Sequence, residues 1–422
     1  MNRRVIKKKF NQEVIYNMNG ARNSKVRIAL RFSSLCLKAL GGALLTLVLA
    51  PISLFRPIEI WQMNTRLSKI SFFIEGLETG LRNLQSRIKT GRVWVIALYP
   101  INYPNKQLTK MYRRHMSILG KRQHWLAESA RFVWPILRVV KKQAMDRSPN
   151  KYILWNAGKP TLSFTNSETI NGMSLDKDLD LPSGKPYVCF AIPSRTYREL
   201  VDIKQSVGSL ENNDLFTTIP EISSYFPLIN ELNSKEISVV RMGIHEKFRL
   251  PDNLGELVYD YAFSHRCEFG DIWLSSRCLY YSVACCGAWW LGAIFGKPTV
   301  ATDAYVLSGT YGVNDLFIPQ LCWLVHENRY ATFEWMAENY MWALDSDRLG
   351  KEYSIVHNTS QQILDVNNEM LDRLYGKWID SDEDIGLQKR LMAVQSKLNV
   401  GDRSPARLGA KFLREHQYLL PQ

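Results

Sequence analysis

Residues 278–302 read CLYYSVACCGAWWLGAIFGKPTVAT. The run from Cys278 to Ala284 is apolar, rich in aromatic residues and of strand length, and a tight turn at Cys285–Gly287 follows it. The apolar stretch from Gly287 to Gly296 then suits a buried helix, and Lys297–Thr302 resumes a strand behind Pro298. Strand, helix and strand in succession predict neighbouring parallel strands joined by a right-handed crossover.

The alternation extends outward from this segment. Tyr187–Ile192 is an apolar strand stopped by Pro193, and Ile237–Gly243 is a second strand ending in glycine. Between them, Ile222, Phe226, Ile229 and Leu232 fall on one helical face. Upstream, Phe72, Phe73, Leu77, Leu81 and Leu84 recur at helical spacing, residues 93–98 (VWVIAL) form a buried strand, and a helix resumes from Asn105. The pattern predicts a further long helix from His124 to about Met145 and a short strand at Tyr152–Trp155. The polar stretch from Asn166 to Lys185 reads as a linker, with the acidic Asp176–Asp180 a solvated turn. Beyond Tyr330 the chain turns helical.

The expected fold class is therefore α/β, with two lobes on either side of the polar stretch. The expected boundaries are a basic tail and apolar segment at 1–57, an N-terminal lobe at 58–180, a C-terminal lobe at 185–345 and a helical extension at 346–422. A chain of 422 residues is long enough for two cores.

The formal charge is +14, but residues 1–60 hold eleven Lys/Arg against Glu13 and Glu59, which leaves +5 for the remaining 362. A basic excess confined to a tail, with no Lys/Arg and aromatic interleaving over the body, excludes nucleic acid as the expected partner. A basic tail ahead of an apolar stretch suits anionic lipid headgroups instead. From Ala39 to Phe55 there is no charge, and 17 helical residues span roughly 26 Å, short of a hydrocarbon core of about 30 Å. The segment either spans, dips in and returns with Pro51 ending its helix, lies in the interface, or packs on the body. Seven cysteines without a CxxC pair suit a reducing compartment, so the body is expected on the cytoplasmic side of the inner membrane.

Ligands of open α/β sheets bind beyond the carboxyl ends of the strands. Cys286, Gly287 and Ala288 occupy such a strand-to-helix turn, where glycine admits close approach of a pyrophosphate. Arg241 follows a strand and has Gly243 beside it; its guanidinium suits bidentate phosphate binding, or else an ion pair. Asp271 suits a ribose or sugar hydroxyl, or a pairing with Arg277. Asp214 and His245 are the candidate general bases for an acceptor hydroxyl. No Walker A, GxGxxG or HExxH pattern occurs in the sequence, and the acidic Asp176–Asp180 run lies in the polar stretch and not at a strand end where a metal-dependent sugar transferase places its DxD, so neither a metal nor another cofactor is expected.

The stretches RLSKISFF from Arg66, NKQLTKMYRR from Asn105, VVRMG ending at Gly243, DYAFS from Asp260, GDIWLSSRC from Gly270 and GKPTV from Gly296 resemble a family of bacterial glycosyltransferases associated with surface-polysaccharide biosynthesis. The resemblance covers about residues 50–335 and implies two Rossmann-like lobes of the GT-B kind, the second holding a nucleotide-sugar donor. It implies transfer to a surface-polysaccharide or lipid-linked glycan acceptor at the membrane surface. Two departures stand out. Ala191, Pro193 and Ser194 replace the polar side chains of a His-x-Arg-Asp type element, with Arg195 the nearest substitute, and a Gly-Thr-Ser-Gly-like phosphate turn reads ACCG here. They motivate an alternative, a catalytically degenerate binding or scaffold protein in glycan assembly.

Overall fold

The computed structural model describes residues 32–62, 70–89, 91, 93–99, 102–130, 132–133, 140–144, 151–193, 220–244, 246–284, 286–304, 310–339, 348–397 and 404–421. They belong to two compact units that interleave along the chain. One draws on Met1–Thr65, Arg87–Tyr103 and Met116–Ala144, the other on Arg66–Ser86, Pro104–His115 and Met145–Gln422. Each unit is built on a parallel sheet, so the fold is α/β.

The first unit carries four parallel strands, β1 (Ile58–Gln62), β2 (Trp94–Leu98), β3 (Ser117–Leu119) and β4 (Val140–Ala144), in the order β3-β2-β1-β4. Ile58 lies opposite both Trp94 and Val140. One core gathers Ile58, Ile60, Ile96 and Leu98 from the strands with Ala130, Val133 and Leu49. Leu49 comes from helix α1, Phe32–Phe55, which is 24 residues long and apolar enough to cross a membrane by length and composition. Pro51 does not end this helix as expected. Pro51 is exposed, so the hydrogen bond it cannot donate is missing on the outer face, and Arg56 N still donates to Ile52 O at 3.0 Å. Helix α2 (Ile70–Lys89) as far as Ser86 and helix α3 (Lys106–Tyr112) belong to the other unit. The helix expected over 124–145 is also corrected: it ends after one short element, α4 (His124–Ala130), and the β-branched Val140 enters β4. Pro135 in the intervening sequence bars a continuous helix.

The second unit holds seven parallel strands. β5 (Tyr187–Ala191), β6 (Ser238–Arg241), β7 (Val258–Tyr259), β8 (Tyr281–Ala284), β9 (Thr299–Ala304), β10 (Leu316–Pro319) and β14 (Arg407–Leu408) run in the order β14-β10-β9-β8-β5-β6-β7. Every residue of β5, β8 and β9 is buried, as in a sheet covered on both faces. A small antiparallel sheet, β12-β11-β13 (β11 Leu321–Leu324, β12 Arg329–Tyr330, β13 Tyr353–Val356), follows β10. The C-terminal part is largely helical, but β14 pairs with β10 and so joins the main sheet.

Three more expectations are corrected here. Tyr152–Trp155 is not a strand but lies in α5 (Lys151–Ala157), because its two large buried side chains sit three residues apart on one helical face, against Tyr311. The expected linker contains α6 (Asn166–Asp178). Thr165 and Glu168 close a capping box, and Gly172 presses so closely on Trp273 that a Cβ there would lie 2.2 Å from the ring. Asp176 is no solvated turn residue; it accepts from Trp273 Nε1 at 2.8 Å and pairs with Arg277 at 3.1 Å. Finally, the helix expected from 287 to 296 is one 3-10 turn, Gly287–Trp289, and one α turn, Trp290–Ala293. It stops because Gly296 adopts φ +74° while Lys297 N reaches back to Gly292 O and Gly296 N to Ala293 O.

Two outcomes test α6. Thr165→Ala removes the N-cap acceptor and is expected to cost about 1 kcal/mol of stability, read by thermal or denaturant unfolding; a solvated linker would show no change. Glu168 is buried, which opposes its ionisation, yet the Thr165 N–H, the Gln107 amide and the Arg114 guanidinium outweigh this and hold its carboxyl down to about 2. Its stabilisation is present above the ordinary glutamate pKa and is lost as the pH falls to about 2. Glu168→Gln is therefore expected to melt below the wild type at pH 7, by about 2 kcal/mol, with the gap closing between pH 5 and pH 2.

Candidate functional site

The strand order sets the site. From β5 the chain builds outward through β6 and β7, then returns to the other side of β5 with β8 and continues through β9 and β10. The reversal lies between β5 and β8, and the crevice beyond their carboxyl ends is where such sheets bind ligands. Ala191 stands opposite Val283 there, and Cys286 Sγ lies 3.8 Å from Ala191 O. Cys286 is extended and half-buried, and Gly287 and Ala288 begin the 3-10 turn. A Cβ on Gly287 would stand 3.0 Å from the Ser71 side chain, so any larger residue would press on Ser71 and the turn fits closest with glycine.

Arg241 ends β6 opposite Phe190, at the same edge. Its side chain is 9% exposed and satisfied by the loop after β6 and by Asp260 beyond β7: Nη2 donates to Glu246 at 2.6 Å, and Nη1 to Phe248 O at 2.8 Å and to Asp260 at 3.3 Å. Gly243 makes this possible, since a Cβ there would come within 2.8 Å of the Glu246 carboxylate. Of the two roles open to Arg241, the ion pair is the one formed.

Asp271 lies in the helix Glu268–Arg277 and is buried. It accepts from Arg266 at 2.8 Å and from the Tyr261 hydroxyl at 3.1 Å; its cationic partner is thus Arg266, while Arg277 pairs with Asp176. Burial pushes its carboxyl up to about 6 against the pull of Arg266. Asp214, His245 and Arg195 lie outside the described residues, as do Ser194 and Cys285. Among the described residues no group of three or more His, Cys, Asp and Glu could hold a metal ion.

Sequence reading missed a polar cluster on the neighbouring strand. Thr302 stands opposite Ala284, and Asp303 follows it with φ +48° and a fully buried carboxylate. Asp303 Oδ1 receives the Asn358 N–H at 3.0 Å and lies 3.0 Å from His357 Nδ1. Asn358 in turn accepts from Asp303 N at 2.6 Å and donates to Pro319 O at 2.9 Å, tying the ends of β9 and β10 together. The His357 side chain is 30% exposed, and its Nε2 has no hydrogen-bond partner among the described residues. An imidazole held at Nδ1 by a carboxylate presents Nε2 as an acceptor when neutral and a donor when charged. The separation of 54 positions along the sequence explains why no local pattern reveals the pair.

No family model matches the chain, and no curated protein matches it in sequence. Among solved structures it is similar to a glycosyl transferase of family 9 from Veillonella parvula, at 8% identity and TM-score 0.43, over 75% of this chain and 97% of that one. It is also similar to the ADP-heptose LPS heptosyltransferase II of E. coli, at 13% identity and TM-score 0.33, over 58% and 84% of the two chains. A third similar structure is the iron-containing dodecameric glycosyltransferase TibC of enterotoxigenic E. coli, at 11% identity and TM-score 0.34, over 76% and 77%. All three are glycosyltransferases.

Proposed function

We propose that the protein is a glycosyltransferase that moves a sugar from a nucleotide-sugar donor to a surface-polysaccharide or lipid-linked glycan acceptor at the cytoplasmic face of the membrane. The observation that carries this reading is the reversal of strand order between β5 and β8, with the Cys286–Gly287–Ala288 turn at its carboxyl edge. In this reading the GT-B-like arrangement has an acceptor-side lobe at 58–180 and a donor lobe at 185–345, followed by the extension at 346–422. The donor diphosphate sits against the Cys286–Gly287 turn, and His357, steadied by Asp303, contributes a polar group at the same edge. Asp271 and the loop held by Arg241 and Gly243 frame the donor side. Arg195 completes the diphosphate contacts, and Asp214 or His245 accepts the proton of the acceptor hydroxyl. No metal takes part in this reading.

A second reading is a degenerate binding or scaffold protein in glycan assembly. Two observations favour it: the guanidinium suited to a phosphate is occupied by Glu246 and Asp260, and the turn at the switch point carries cysteines instead of hydroxyls.

The two readings separate in a thermal-shift screen of the full chain against nucleotides and nucleotide sugars. A donor at 100 times its dissociation constant is expected to stabilise by about 2.7 kcal/mol. His357→Ala is expected to bind the same donor at least about tenfold more weakly, with the ligand-free melting temperature kept, as for loss of a contact of about 1.4 kcal/mol. A donor-specific shift followed by transfer to a glycan acceptor supports the enzyme; a shift without transfer or donor hydrolysis supports the binding protein; no shift with any nucleotide, in a folded sample, removes the enzyme and leaves the scaffold.

A further inference from the structure

Helix α1 has two opposite faces of different character. Gly42, Thr46, Leu49 and Ser53, at helical spacing, are buried. Gly41 and Gly42 approach the segment of α4 so closely that added Cβ atoms would lie 2.5 Å from Ser129 Oγ and 2.6 Å from Phe132 Cβ. Leu45 and Leu49 reach the sheet core, and Lys38 pairs with Glu128 at 3.3 Å. About 180° around the helix, Leu40, Leu44, Leu47, Val48, Leu54 and Phe55 are exposed, Leu47 by 71% and Phe55 by 91%. Trp125 and Leu126 of α4 are exposed as well, and Trp125 abuts Gly41, which continues the apolar surface onto a second helix. Residues 1–31 carry nine Lys/Arg against one acid, Glu13, a charge of +8 immediately before α1.

We infer that α1 lies in the plane of an anionic membrane surface, with its outer face and Trp125 sunk among the headgroups and upper acyl chains, and does not span the bilayer. This rests on the membrane-surface part of the proposed function and says how that surface is met. A spanning helix places its middle in hydrocarbon. Here the middle, residues 41–49, is covered along one side by a folded unit whose Ser129 lies against Gly41 and whose Glu128 pairs with Lys38 one turn before. An in-plane helix needs one apolar face, one face on the body and a nearby source of positive charge, and α1 has all three. A tryptophan at the rim suits headgroup depth.

The test uses the full chain with an epitope at each terminus and vesicles of phosphatidylcholine with or without phosphatidylglycerol. The wild type is expected to co-sediment at least about tenfold better with the anionic vesicles, to be stripped by alkaline carbonate, and to expose both epitopes to protease on the same side. The double variant Leu44→Glu/Leu47→Glu alters only exposed positions; it is expected to lose vesicle binding at least about tenfold while keeping its melting temperature and any donor-induced shift. Epitopes on opposite sides, or resistance to carbonate, would overturn the in-plane placement while leaving membrane association intact. Vesicle binding unchanged in the double variant would overturn it too, as would a wild-type dimer that this variant splits, since a second copy would then cover the face. Binding to neither vesicle would remove the membrane reading itself, independently of donor binding.

Discussion

The second unit depends on one buried ion pair. Glu78 and Arg82, one turn apart on the helix Ile70–Lys89, meet at 2.8 Å with side chains 0% and 4% exposed. Neither charge could be buried alone, and each is surrounded by groups from distant parts of the chain. Glu78 receives the Thr161 hydroxyl and N–H and the Tyr112 hydroxyl, while Arg82 donates to the carbonyls of Trp155 and Ala293 and lies 3.8 Å over the Trp155 ring. Four segments separated by up to 211 residues thereby share one electrostatic centre. Removing either partner would strand the other in an apolar setting, a loss of about 3–5 kcal/mol that would fall on the attachment of segments 66–86, 104–115 and 145–161 to the main sheet.

This arrangement also explains how the candidate site is held. The carbonyls that Arg82 engages end the short helix after Gly287, so the turn at the switch point is fixed from behind by the same guanidinium. In front of it, the loop after β6 closes on Arg241, and Asn358 clasps β9 and β10. The carboxyl edge of the sheet is thus lined by loops whose backbones are tied down by side chains, which is the kind of support a ligand site needs.

Much of the sheet was legible because each buried parallel strand is a continuous apolar run. Tyr187–Ala191, Ser238–Arg241 and Tyr281–Ala284 lie inside the stretches their composition marks out. The candidate turn at 285–288 was legible for the same reason, being the break between two such runs. Two misreadings have different physical origins. Asn166–Asp178 is polar because most of its surface is exposed, and its helix start shows only in the Thr165-x-x-Glu168 spacing, which composition does not register. Residues 152–155 were ambiguous because four apolar residues suit a strand or one helical turn equally. The choice between the two roles of Arg241 stayed open in the sequence because Asp260, 19 residues on, cannot be placed beside it without the fold. The same distance problem hid His357 and Asp303.

The join between α1 and β1 carries a mechanical consequence. Only Arg56 and Pro57 separate Phe55 from Ile58; the Arg56 guanidinium is hydrogen-bonded to Val93 O at 3.0 Å, and Trp94 N to Pro57 O at 2.8 Å. With the glycine face seated on α4 as well, the helix has no hinge and works as a bracket, not a leash. Whatever the outer face of α1 rests on therefore dictates the tilt and height of the four-stranded sheet, and a sheet held this way would travel in two dimensions at a constant attitude instead of tumbling on a tether.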